Sequence, residues 1–334
     1  MPASSPRVSV VLPVYNGAVY IVEAVTSILA QTYRDFELIV VDDGSTDGTR
    51  ELLAPLAAVD PRLLVLAEPH RGLVGSLNHG IHVARGTLIA RMDADDVALP
   101  TRFAAQVDYL DANPDCVVVG TSILKVNANG QPRKKSAAIW QMPTFDPRAF
   151  PPQIGGVPHP TAMIRAAALA EVGGYRPYFY NAEDRDLWAR LWTVGRIYQL
   201  PDVALRYRVH AGSVTRLKRG EQLLSHMLAD LSAVARSLKL NDHAILQRSL
   251  ASDNKQAALD DYAALIGDAY PVETYRMYHC IRSRMWSFAP FQSRADMLSR
   301  VGQHAAARPF DRNRLKLLRA FIRHGPAPQR LGKT

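Results

Sequence analysis

The chain has only two cysteines, Cys116 and Cys280, far apart and with no CxxC between them. That excludes a disulfide-stapled scaffold and a thiolate zinc ribbon, and both are read as reduced core thiols. No stretch approaches the ~20 apolar residues of a membrane span. Met1 to Pro6 is short and polar, so no signal peptide is expected. No GxGxxG follows a strand and no GxxxxGK occurs, which disfavours a dinucleotide oxidoreductase and a P-loop enzyme. No Gly-rich basic loop follows the first strand, which weighs against a nucleotidyltransferase. Acids are outnumbered, 31 against 40 Lys and Arg, for a net charge of +9. This balance suits nucleotides, phospholipid surfaces or nucleic acid without choosing among them. No nucleic-acid module accompanies the charge, so no nucleic-acid partner is expected.

What is present is an ordinary globular composition, 48% apolar and 21% charged over 334 residues, long enough for one large or two modest domains. Residues 7–110 alternate strand and helix. Strands are predicted at Arg7–Pro13, Phe36–Val41, Leu63–Leu66 and Thr87–Arg91, with helices at Ala18–Gln31, Thr49–Ala57 and Leu73–Ala84. This alternation predicts an open, mostly parallel α/β sheet flanked by helices. Ligands bind such sheets at the carboxyl ends of the strands. Here those ends read Pro13-Val-Tyr-Asn16, Asp42-Asp43 and Asp93-Ala-Asp-Asp96.

Further on, Val117–Val119 reads as a strand, and the Pro-rich, basic stretch 131–156 reads as an irregular excursion over the functional face. Order returns at Thr161–Ile164, a helix at Asp184–Trp192 and a strand at Val203–Val209. After about Thr215 the composition turns helical, and a boundary is placed there: 1–215 as the α/β domain, 216–334 as a helical, basic extension.

Taken alone, the acidic motifs have two readings each. Asp93-Ala94-Asp95 offers alternate carboxylates at a strand end, a fit for a hard divalent cation and a diphosphate. It also reads as a cap, with Asp96, for a helix starting near Pro100. Asp42-Asp43 reads as an acceptor for a ribose or base edge, or as turn and cap chemistry before Thr46. Glu183-Asp184 reads as a carboxylate pair held at a helix N-terminus, or as a cap.

Together, these stretches resemble a known family. Val8-Ser-Val-Val-Leu-Pro-Val-Tyr-Asn16 and Gln31 to Asp47 resemble the N-terminal signature of family 2 glycosyltransferases. Arg71 to Gly80, Ala84 to Asp96, Pro158-His-Pro-Thr161, Val172-Gly-Gly-Tyr175, Ala182 to Trp188 and Tyr207 to Ser213 continue it in order. The resemblance spans residues 7–215. It implies a GT-A Rossmann-like fold and inverting transfer of a sugar from a nucleoside diphosphate sugar, UDP favoured, to a hydroxyl of a glycan or lipid-linked acceptor. The setting implied is cell-surface polysaccharide or glycolipid synthesis.

By resemblance, Pro13, Tyr15, Asn16, Asp42, Asp43 and Arg71 line the nucleotide pocket, with Asp93 and Ala94 on the diphosphate side. Asp95 holds a divalent metal, Mn²⁺ or Mg²⁺, and His210 joins it. Asp184 is the base and Glu183 positions the acceptor. Asp186 is read as a first-turn acid, and Arg208 and Ser213 as neighbours of His210. His159 is read either as facing the acceptor or as packed between prolines. Glu68, His70 and His79 stand where the family often has Asn. No Gln-x-x-Arg-Trp occurs, so single-sugar addition is expected. A non-catalytic donor-binding relative is the rival reading, disfavoured by Asp95 and Asp184.

The last stretch carries Arg308, Arg312, Arg314, Lys316, Arg319, Arg323, Arg330 and Lys333 against Asp311 alone, with Leu315, Leu318 and Ile322 at helical spacing. This reads as a basic amphipathic helix lying on an anionic membrane, or as the solvated face of a packed helix. The expected location is the cytoplasm, peripheral on the inner face of the cell membrane. Oligomerisation is left open.

Overall fold

The computed structural model describes residues 5–132, 143–146, 153–212, 219–242, 244–247 and 261. These belong to one compact unit, Met1–Ile281. The stretch 282–334, with its expected basic helix, lies outside the described residues, as do Cys280 and Ser213.

Ten strands and seven α-helices have bounds among the described residues, and residues 244–247 are also helical. The strands are β1 Val8–Val14, β2 Phe36–Asp42, β3 Leu63–Ala67, β4 Leu88–Arg91, β5 Val97–Ala98, β6 Cys116–Val126, β7 Phe145–Asp146, β8 Gln153–Ile154, β9 Met163–Arg165 and β10 Arg196–Arg208. The helices are α1 Ile21–Leu29, α2 Thr49–Val59, α3 Gly72–Val83, α4 Arg102–Ala112, α5 Ala166–Glu171, α6 Glu183–Leu191 and α7 Arg219–Ser237.

Eight strands form one sheet, ordered β3-β2-β1-β4-β9-β6-β10-β5. The β3-β2-β1-β4 half is parallel throughout. β9 runs against both β4 and β6, β10 is parallel to β6, and β5 runs against β10 at the edge. The mostly parallel sheet is therefore as expected, with two reversed strands that local sequence did not reveal. β7 and β8 pair separately, inside the stretch read as irregular.

Strand alternation sorts the core into two layers. Val8, Val10 and Leu12 join Val25, Ile28, Phe103 and Leu110 of α1 and α4 on one face. Val11 turns to the other face, with Leu77 of α3 and Leu187, Trp188 and Leu191 of α6. Each such side chain contributes about 1.5–3 kcal/mol by leaving water. Gly156 lets the chain cross Trp188, since a Cβ there would sit 1.9 Å from Trp188 Cδ1. Cys116 is buried and unpaired by disulfide, and burial pushes its thiol up to about 11.

Helix α7 lies beyond residue 215 yet packs within the same unit. Arg185 of α6 pairs with Asp230 of α7. Arg176 pairs with Asp186 and also donates to Ser232 Oγ at 3.1 Å.

Candidate active site

The carboxyl ends of β1, β2 and β4 meet at one edge. Asn16 takes a left-handed backbone (φ 52°) as the chain leaves β1, a conformation asparagine tolerates. Its N–H donates to Ser45 Oγ at 2.9 Å, and its Oδ1 accepts from Thr46 N at 2.9 Å. The β1 and β2 exit loops are thereby joined. Asp42 is fully buried. It accepts from Ser45 N and from Arg50 Nε, both at 3.0 Å, so its carboxylate shapes the turn.

Asp43 accepts from Arg71 N at 2.6 Å and Gly72 N at 2.9 Å, fixing the start of α3. His70 Nδ1 lies 2.9 Å from Asp43 Oδ2. The His70 ring packs against Tyr15, centroids 4.3 Å apart, and Tyr15 remains 52% exposed. Neither acid caps α2, whose first N–H, that of Thr49, donates to Asp47 Oδ1 at 3.1 Å instead.

Asp93, Asp95 and Asp96 follow β4. One oxygen of each lies within 4.8 Å of the others. The cap reading fails here: α4 begins at Arg102, its N-cap is Thr101, and no side chain caps it. Asp93 is ion-paired to Arg91. Asp95 Oδ2 lies 2.9 Å from His210 Nε2. Asp96 accepts from Arg208 N at 2.8 Å through Oδ1, while its buried Oδ2 has no hydrogen-bond partner among the described residues.

Burial, then the charge of Asp93, raises the Asp95 carboxyl, which His210 opposes. Burial with Asp93 and Asp95 raises Asp96 well above the usual carboxylate range. Crowded acids of this kind are relieved by protonation or by a bound cation. Three carboxylates, one with an oxygen unpartnered among the described residues, and an imidazole on Asp95 could hold a hard divalent cation.

Arg208 braces this loop from below. It donates to Asp95 O and Ala128 O, both at 2.8 Å, pairs with Glu23 at 2.6 Å and covers the Tyr20 ring.

Glu183 and Asp184 open α6 after Asn181, another left-handed residue (φ 67°). Their cap reading also fails, because Ala182 is the N-cap and no side chain caps the helix. Glu183 is buried. Burial, then Asp184, pushes its carboxyl up to about 7. Asp184 is half-buried and accepts from Arg185 N at 2.7 Å.

His159 is buried, with Nε2 2.6 Å from Tyr175 Oη and Nδ1 3.9 Å from Glu183 Oε1. Burial, then Arg91, holds its ring well below its ordinary value. Asp186 is more than a first-turn acid: it is fully buried between Arg176 and Arg190.

Sequence reasoning passed over Arg91, Tyr175 and Glu23. For Arg91 a signal existed: a cation ends the otherwise apolar strand Leu88–Arg91, two residues from Asp93 and so on its face.

An open α/β sheet of this strand order with acids along its carboxyl edge is the GT-A glycosyltransferase fold. The pattern of Glycosyl transferase family 2 matches residues 9–173, and the chain belongs to that family. EpsE of Bacillus subtilis (strain 168), named as a glycosyltransferase, is 32% identical over 254 residues, 74% of this chain and 89% of that protein. The amylovoran biosynthesis glycosyltransferase AmsE of Erwinia amylovora is 28% identical over 59% of this chain and 73% of its own. The mannosyltransferase PcManGT from Pyrobaculum calidifontis, solved with GDP-Man and Mn²⁺, superposes with a TM-score of 0.54 at 21% identity, covering 86% of this chain and 89% of that one. No helix among the described residues is long and apolar enough to cross a membrane.

Proposed function

We propose that this chain moves one sugar, with inversion, from a nucleoside diphosphate sugar to a hydroxyl of a glycan or lipid-linked acceptor in cell-surface polysaccharide or glycolipid synthesis. The observation that carries the reading is the nearness of two carboxylate clusters, Asp93-Asp95-Asp96 after β4 and Glu183-Asp184 at the start of α6, with the charge of Asp93 acting on Glu183. UDP-sugars come first as donors because UDP is the commonest donor nucleotide of the resembled family. GDP-mannose comes next because the superposed mannosyltransferase binds it.

In this reading Pro13, Tyr15, Asn16, Asp43 and Arg71 form the nucleotide side, and Asp42 acts through the turn it holds. Asp93 and Ala94 face the diphosphate. Asp95 and His210, with the free oxygen of Asp96, would hold Mn²⁺ or Mg²⁺, which when bound stabilises charge on the departing diphosphate. The acceptor oxygen bonds to the anomeric carbon as the bond to the diphosphate oxygen breaks. Asp184 takes the acceptor proton, and Glu183 orients the acceptor. The basic segment 308–333 holds the enzyme at the inner membrane surface beside its acceptor.

Asp184→Asn tests the base. The expected result is a fall in turnover of about 10²–10⁴-fold, with nucleoside diphosphate affinity unchanged by titration calorimetry. Wild-type turnover would remove Asp184 from that role.

A further inference from the structure

Arg91 ends β4 and is only 5% exposed. Its Nη2 pairs with Asp93, but its Nε and Nη1 are buried with no hydrogen-bond partner among the described residues. Glu183, 7% exposed, has a buried Oε2 in the same condition. Unsatisfied buried polar atoms are uncommon because each costs about 1–3 kcal/mol. Here a buried cation has spare donors and a buried carboxyl has a spare acceptor.

The two belong to one cluster. Arg91's charge acts on Glu183, Tyr175 and His159 alike, while His159 bonds Tyr175 and faces Glu183. Arg91 and Glu183 form no direct ion pair within 4.0 Å, so a link between the spare donors and the spare acceptor needs one mediating water.

We infer that Arg91 is a positioning residue for Glu183: one arm of its guanidinium holds Asp93, and the others orient the Glu183 carboxylate across a bridging water. The inference rests on the reading of Glu183-Asp184 as the acceptor-side pair. It couples the two ends of the reaction, since Asp93 lies on the diphosphate side and Glu183 on the acceptor side. A displacement of Glu183 on the order of 1 Å would cost transfer about 100-fold.

The test is a double-mutant cycle of Arg91→Met and Glu183→Gln, read in turnover and in thermal unfolding at pH 8. The expected result is that Arg91→Met lowers kcat about 100-fold in the wild-type background and by less than about threefold in Glu183→Gln, the marker of groups acting as one unit. The unfolding temperature should likewise fall further with Arg91→Met in wild type than in Glu183→Gln. Additive effects in both readouts would overturn the inference and leave Arg91 as an anchor of Asp93 alone.

If Arg91→Met does not fold, Arg91→Lys enters the same cycle. It keeps the charge and loses the fork, so the same loss in wild type and near-neutrality in Glu183→Gln are expected, with additivity again overturning the inference. Should the protein transfer no sugar at all, the proposed function fails while the unfolding cycle still decides whether Arg91 and Glu183 are coupled.

Discussion

At the scale of single residues, burial sets the chemistry. Glu183 is held near 7 by burial and Asp184, above the ordinary 4.5 of a glutamate. A carboxyl raised on folding contributes its stability below its unfolded value and loses it as pH rises through the folded one. Glu183→Gln removes that loss. The variant should therefore match wild type in unfolding temperature near pH 4.5 and exceed it at pH 8. Equal temperatures at pH 8 would contradict the buried, raised carboxyl. Asp95 supplies a second prediction: Asp95→Asn should weaken Mn²⁺-dependent nucleoside diphosphate binding in calorimetry and leave metal-free binding unchanged. The acids were legible because they sit at strand ends in the expected alternation. Arg91 left a local mark, a cation ending an apolar strand beside Asp93, but its grouping with Tyr175, His159 and Glu183 did not, because those residues lie some 70 to 90 positions away.

At the scale of elements, α6 depends on one buried carboxylate. Burial would raise Asp186, but Arg190 and Arg176 outweigh it and hold the group below its usual value. The same acid lies 3.9 Å from Arg236 of α7, so α6 and α7 share it. Asp186→Ala should cost about 3–5 kcal/mol by leaving buried arginines uncompensated, read as a lower midpoint in urea unfolding. A loss under about 1 kcal/mol would mean the cluster behaves as a surface pair. Strand and helix periodicity made β1 to β4 and α1 to α3 legible to within a few residues. β10 was seen only from Val203, because Pro201 and Asp202 interrupt its pattern where the pairing with β6 shifts register. β5, two residues long, and the reversed β9 owe their places to the sheet around them.

At the scale of the whole molecule, the GT-A sheet supplies the carboxyl edge that carries Asp43, Asp93, Asp95 and Asp96, the proposed donor side. The proposed role of the basic tail is to set where the enzyme stands. Liposomes carrying anionic lipid should float the full chain and lose the chain lacking 305–334, while equal recovery in the unbound fraction would end the membrane proposal. Metal-dependent sugar transfer is read out by release of nucleoside diphosphate from a panel of nucleotide sugars, measured with Mn²⁺ and then with chelator. The expected result is turnover on one donor that requires Mn²⁺ and disappears on chelation. Turnover indifferent to chelator, or none on any donor with a glycan or lipid-linked acceptor present, would contradict it.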